Sequence, residues 1–116
     1  MTFHDVSDQL DHVRSIFGLL RVTYSQRRWG EAHNWSIEVI SLMEKYQAFD
    51  RQSYYIRLSL LFQAIILCQL ERCQEGRESF DRATYYSATA QHYITGLGTY
   101  VLKSLQSAMQ VFSFDD

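Results

Sequence analysis

A chain of 116 residues with 47% hydrophobic content is long and apolar enough to bury one core, which excludes a disordered tail or a fibre. Its net charge of -2 argues against nucleic acid or anionic lipid as a partner, since both need a basic face. With no proline and five glycines the chain lacks the turn residues that an all-β fold requires, so helices are expected.

The first helix is predicted from about Ser7 to Arg27, where Leu10, Val13, Phe17, Leu20 and Tyr24 recur three or four apart. Asp5 or Ser7 is placed to cap it. The second opens near Trp29 and Gly30 and runs to about Tyr46, with Trp35, Val39, Leu42 and Tyr46 in one row and Ala32, Ile40 and Met43 widening it. The third starts after Asp50 and ends near Arg72. Tyr54, Leu58, Leu61, Ile65 and Cys68 form one stripe, and Tyr55, Phe62 and Ile66 a second. A helix apolar on more than one face is expected at the centre of a fold. The fourth runs from Cys73 or Gln74 to about Tyr86 and carries Gly76, Phe80 and Ala83. The fifth spans about Thr89 to Val111 along Ile94, Leu97, Val101, Leu105 and Met109. Short polar connections make consecutive helices antiparallel. The expectation is one all-α domain over residues 1–116.

The most apolar stretch, LSLLFQAIILCQL, is interrupted by Gln63 and Gln69 and falls short of the ~18 residues of a membrane span. The N-terminus MTFHDVSDQL has no basic-then-apolar leader pattern, so a cytoplasmic protein is expected. Arginine outnumbers lysine nine to two. Guanidinium groups tolerate contact surfaces well, although codon bias explains the ratio equally.

Chemistry is sparse. Cys68 and Cys73 lie five apart, which on one continuous helix turns them away from each other, so two small buried apolar residues are expected rather than a disulfide or zinc site. His4, His12, His33 and His92 are scattered without metal-ligand spacing; His12 and Asp8 are four apart and read as a surface ion pair. GLG at Gly96 to Gly98 has no strand before it and reads as helix packing rather than a phosphate loop. The carboxylate pairs Glu75 with Glu78 and Asp115 with Asp116 read as solvated charge. No nucleophile, base and orienting group assemble, so no enzyme, metal or cofactor is expected.

An internal repeat is more informative. Leu60, Ala64 and Leu67 align with Ile94, Gly98 and Val101 at a spacing of 34, each set placing a small residue between large ones. Gly76, Phe80 and Ala83 then give small, aromatic, small on one helical face. In these positions the chain resembles the tetratricopeptide repeat (TPR) family, whose unit is a helix–turn–helix of ~34 residues. RRWGEA at Arg27 to Ala32 resembles that family's turn, with Ile16, Leu19 and Leu20 in its apolar first-helix positions. The pattern departs in three ways. Ala32 and Gly76 are 44 apart, Leu20 and Gln63 stand where a small and an apolar residue belong, and no proline closes a unit. A HEAT-like pairing or a plain five-helix bundle stays open.

The resemblance implies a short array of about five stacked antiparallel helices whose first helices line a concave side. It places Arg14, Phe17, Arg21 and Tyr24 there, then Leu58, Leu61, Ile65 and Cys68, then Thr95, Thr99 and Leu102. Phe17, Arg21, Tyr24, Leu58, Leu61, Ile65, Cys68, Thr99 and Leu102 are thus the candidate partner-binding residues. An apolar centre edged by Arg14, Arg21 and Lys103 suits an amphipathic helix or hydrophobic tail of another protein. In length, repeat number and groove polarity the chain is similar to the TPR-like chaperones of type III secretion needle subunits, which clamp the amphipathic C-terminal helix of a polymerising subunit. Two alternatives stand beside a groove-binding chaperone or adaptor. Leu58, Leu61 and Ile65 are then ordinary core, covered by the chain's own N-terminal segment or a second copy. Otherwise the protein is an assembly subunit or homodimeric scaffold that uses its outer helix faces.

Overall fold

A computed structural model describes residues 6–46 and 53–83, and every element among them is an α-helix. The order is α1 (Val6–Ser25), α2 (Trp29–Lys45), α3 (Ser53–Gln69) and α4 (Cys73–Ala83). The fifth predicted helix, Thr89 to Val111, lies outside the described residues, as does the predicted end of the fourth at Tyr86. Successive helices pack on one another, and α1 also touches α3.

The apolar stripes explain the packing. Val13, Phe17 and Leu20 of α1 and Ala32, Val39, Ile40 and Met43 of α2 are buried in one continuous core. In α3 every residue from Leu58 to Cys68 is buried, which fits its two apolar faces. Gly76, Ser79 and Ala83 are the buried face of α4. Aromatic rings join α1 to α3: Phe17 meets Tyr55 and Phe62 edge-on at 5.3 and 5.9 Å, and Tyr24 meets Phe62 at 4.8 Å.

The two helical hairpins turn in the same way. After α1, Arg27 adopts φ 59°; after α3, 44 positions on, Glu71 adopts φ 62°. In the first turn the Arg28 N–H reaches back to the Thr23 carbonyl and the Arg27 N–H to that of Tyr24. In the second, the Arg72 N–H bonds the Leu67 carbonyl and the Glu71 N–H that of Cys68. These paired bonds make a Schellman motif, which satisfies carbonyls that a helix end leaves bare. The next helix then starts identically. The Ala32 and Gly76 N–H groups bond the Arg28 and Arg72 carbonyls, and each arginine pairs with a glutamate three residues on, Glu31 or Glu75.

The left-handed position in such a motif is usually glycine, because a side chain there costs roughly 1–2 kcal/mol. Arg27 and Glu71 are both exposed. Arg27→Gly and Glu71→Gly are therefore each expected to stabilise the fold by about 0.5–1 kcal/mol, readable as a higher urea midpoint at unchanged slope. A lower midpoint for both would contradict the shared-turn geometry.

One hairpin is tighter than the other. A Cβ built on Gly76 would lie 2.5 Å from the Ala64 carbonyl oxygen and 3.4 Å from Cys68 Sγ. The equivalent positions of the first hairpin carry Leu20 and Ala32, both fully buried. Only glycine admits the backbone contact between α3 and α4.

Candidate functional site

The residues expected to line a concave side are mostly interior. Leu58, Leu61 and Ile65 are 1%, 2% and 1% exposed, and Phe17 and Cys68 are both 7%. Arg21 and Tyr24 are half-buried, and burial pushes the Tyr24 phenol above its ordinary range. Arg14 is exposed and pairs with Asp11 at 3.7 Å. Thr99 and Leu102 lie outside the described residues. The helical period that draws Leu58, Leu61 and Ile65 into one stripe is present, but that stripe is sealed rather than open.

A buried polar chain crosses three helices. Ser79 Oγ donates to Gln63 Oε1 at 2.7 Å, Gln63 Nε2 donates to Ser36 Oγ at 3.0 Å, and Ser36 Oγ donates to the His33 carbonyl at 2.7 Å. Gln63, which departs from the family pattern, thus ties α4 to α2 through α3. Periodicity does not single out Ser36 or Ser79, although each interrupts an apolar stripe, and that interruption is the available signal.

The surface differs from expectation as well. Leu19, expected at an apolar packing position, is 41% exposed; Val22 on the same face of α1 is 51% exposed, and Ile37 of α2 is 49% exposed. On α2 a shallow recess of about 210 Å³ is lined by Glu31, Asn34, Trp35 and Glu38. Val22 and Ile37 lie off the stripes of their helices, which is the sequence mark of an apolar residue aimed at solvent.

Two smaller readings are corrected. The chain is not one helix between Cys68 and Cys73, because α3 ends at Gln69 and the turn at Glu71 reverses direction. The two thiols are neighbours rather than divergent, and Cys73 is exposed rather than buried. His12 Nδ1 lies 2.7 Å from the Tyr46 hydroxyl, tying the start of α1 to the end of α2. Arg57, which periodicity passes over, is half-buried with Nε and Nη1 sealed from water and without a partner among the described residues; burial pulls its guanidinium below its ordinary value.

His33 is the titratable group with a definite pH consequence. Burial holds its imidazole below the ordinary 6.5, Arg72 lowers it further, and Glu75 opposes both. The unfolded chain then binds the proton more readily, so stability present above pH 6.5 is lost as pH falls from there towards the lower folded value. Glu75, whose carboxyl the Arg72 side chain holds below 4.5, adds its own loss only below that value. The melting temperature is expected to fall below pH 6.5 and His33→Gln to flatten that step. An unchanged step in the variant would assign it to another group.

Among the described residues no group of three or more His, Cys, Asp or Glu side chains is placed to hold a metal ion. No helix among them is long and apolar enough to cross a membrane. Compared with protein-family models, with curated proteins and with solved structures, the chain matches none.

Proposed function

We propose that this chain is a non-enzymatic protein-binding domain, an assembly subunit that docks through the outer faces of α1 and α2. The observation that carries this reading is the exposure of Leu19, Val22 and Ile37 beside a sealed interior. Large apolar side chains at 41–51% exposure gain from contact with a second apolar surface, at roughly 25 cal/mol per Å² covered. The two equivalent hairpin turns, Arg27 and Glu71, fit a stack of similar helical hairpins.

The test is self-association of the purified chain. Sedimentation equilibrium is expected to give a concentration-dependent dimer, and Val22→Asp with Ile37→Asp to give a monomer of the same melting temperature. Surface positions of this kind change stability by about 0.5 kcal/mol or less. A wild-type chain that stays monomeric at all concentrations would defeat the scaffold reading.

A second reading is favoured by the unbroken burial of Leu58 to Cys68 in α3, a mostly apolar run suited to receive another helix. In it an amphipathic helix of a partner displaces whatever covers Leu58, Leu61 and Ile65, as a groove-binding chaperone does. Binding would then be slow, limited by opening, and insensitive to Val22→Asp.

A further inference from the structure

Cys68 stands in the last turn of α3 and Cys73 is the first residue of α4, with the left-handed Glu71 between them. Two observations put their side chains together. At the equivalent positions of the first hairpin, 44 residues earlier, Tyr24 and Trp29 hold their rings edge-on at 5.5 Å. In the second hairpin Cys68 Sγ lies against α4, 3.4 Å from where a Cβ on Gly76 would stand, one turn along from Cys73, and Cys73 raises the Cys68 thiol as a near neighbour. Both sulfurs are free thiols, and their access to solvent differs: Cys68 is 7% exposed, whereas Cys73 is open.

We propose that Cys68 and Cys73 form a modification site, a dithiol that a low-molecular-weight disulfide closes reversibly to an intrachain disulfide across the α3–α4 turn. Accessibility sets the order of events. The Cys73 thiolate attacks one sulfur of the small disulfide, forming a mixed disulfide and expelling one small thiolate. Cys68 then loses its proton to solvent and attacks Cys73 Sγ, expelling the second thiolate. One disulfide is reduced to two thiols as two protein thiols become one disulfide, so atoms and electrons balance.

Burial and then Cys73 itself, as a near neighbour and a charge, push the Cys68 thiol up to about 12. The contribution of Cys73 as a charge disappears once its sulfur is capped in the mixed disulfide. Burial, the larger cause, still opposes the Cys68 thiolate after that, so closure is the slower of the two steps. The shared turn keeps the pair together in the folded chain, where an unfolded segment must find the same closeness by chance.

Equilibrating the full chain in reduced and oxidised glutathione, in native buffer and in concentrated urea, tests this after acid quench and mass spectrometry. The native chain is expected to lose two hydrogens within one molecule, with an equilibrium constant about tenfold or more above that in urea. Cys68→Ser is expected to stop at a glutathione adduct on Cys73, and Cys73→Ser to stay reduced. The proposal is overturned if the native wild type stops at that adduct, joins two chains through Cys73, fails to oxidise, or closes no more readily than in urea. The deciding comparison uses the unaltered chain, so folding of the variants does not enter.

Discussion

Phe62→Ala is expected to lower the stability of the domain by about 3–5 kcal/mol, out of a total on the order of 5–15 kcal/mol for a chain of this size. Phe62 is 4% exposed and stands where α1 meets α3. Its ring receives Phe17 at 5.9 Å and an interplanar angle of 68°, and Tyr24 at 4.8 Å and 73°. Both are edge-to-face arrangements, worth about 0.5–1.5 kcal/mol each beyond the area they bury. Removing the ring loses those contacts and leaves a cavity whose walls are two further aromatic residues, which cannot collapse into it. Urea unfolding of wild type, Phe62→Ala and Phe62→Leu is the measurement. The leucine variant should recover more than half of the loss, because it refills volume without restoring the ring contacts. A loss below about 1.5 kcal/mol for alanine would mean that the α1–α3 contact is dispensable.

Ile65→Asp is expected to do more, leaving the chain unfolded at neutral pH. Ile65 is 1% exposed in the middle of an unbroken buried run, so an aspartate there carries a desolvation cost of several kcal/mol. The sign of its pH dependence is distinctive. Burial raises the folded carboxyl above its unfolded value of about 3.9, so the variant regains stability on acidification and loses it as pH rises through the folded value. Wild type, governed by His33, runs the opposite way. Circular dichroism from pH 4 to pH 7.5 would separate the two. The same variant decides between the two binding readings. On an open groove, the introduced carboxylate would be tolerated within about 0.5 kcal/mol and would only weaken partner capture. A folded, neutral-pH-stable Ile65→Asp would restore the groove.

Much of the helical framework is legible in the sequence because its stripes are regular. All four described helices follow the predicted order, with ends displaced by at most three residues where both can be compared. The errors cluster where the chain turns. Arg27 and Glu71 occupy positions that glycine would have marked, and without that marker the apolar period carries the first and third helices through them. The divergence expected of Cys68 and Cys73 fails for the same reason, since it assumes a helix that in fact stops at Gln69. Periodicity assigns Leu58, Leu61 and Ile65 to a common face correctly. It has no means of saying whether such a face meets water or other side chains, because an apolar groove and an apolar core have the same spacing. Leu19 shows the converse, an apolar residue in a packing register that the structure leaves outside.

The hydrogen-bonded thread from Ser79 through Gln63 to Ser36 works as a key in a keyway. Oily surfaces attract without direction, and three such helices offer many settings of comparable energy. Sliding α4 by one turn would strand the Ser79 hydroxyl and the Gln63 amide oxygen, and rotating α2 by one residue the Gln63 amide N–H, in a waterless interior. A single amide, with its oxygen claimed from one side and its nitrogen from the other, thus selects one alignment of the bundle from those that greasiness alone would allow.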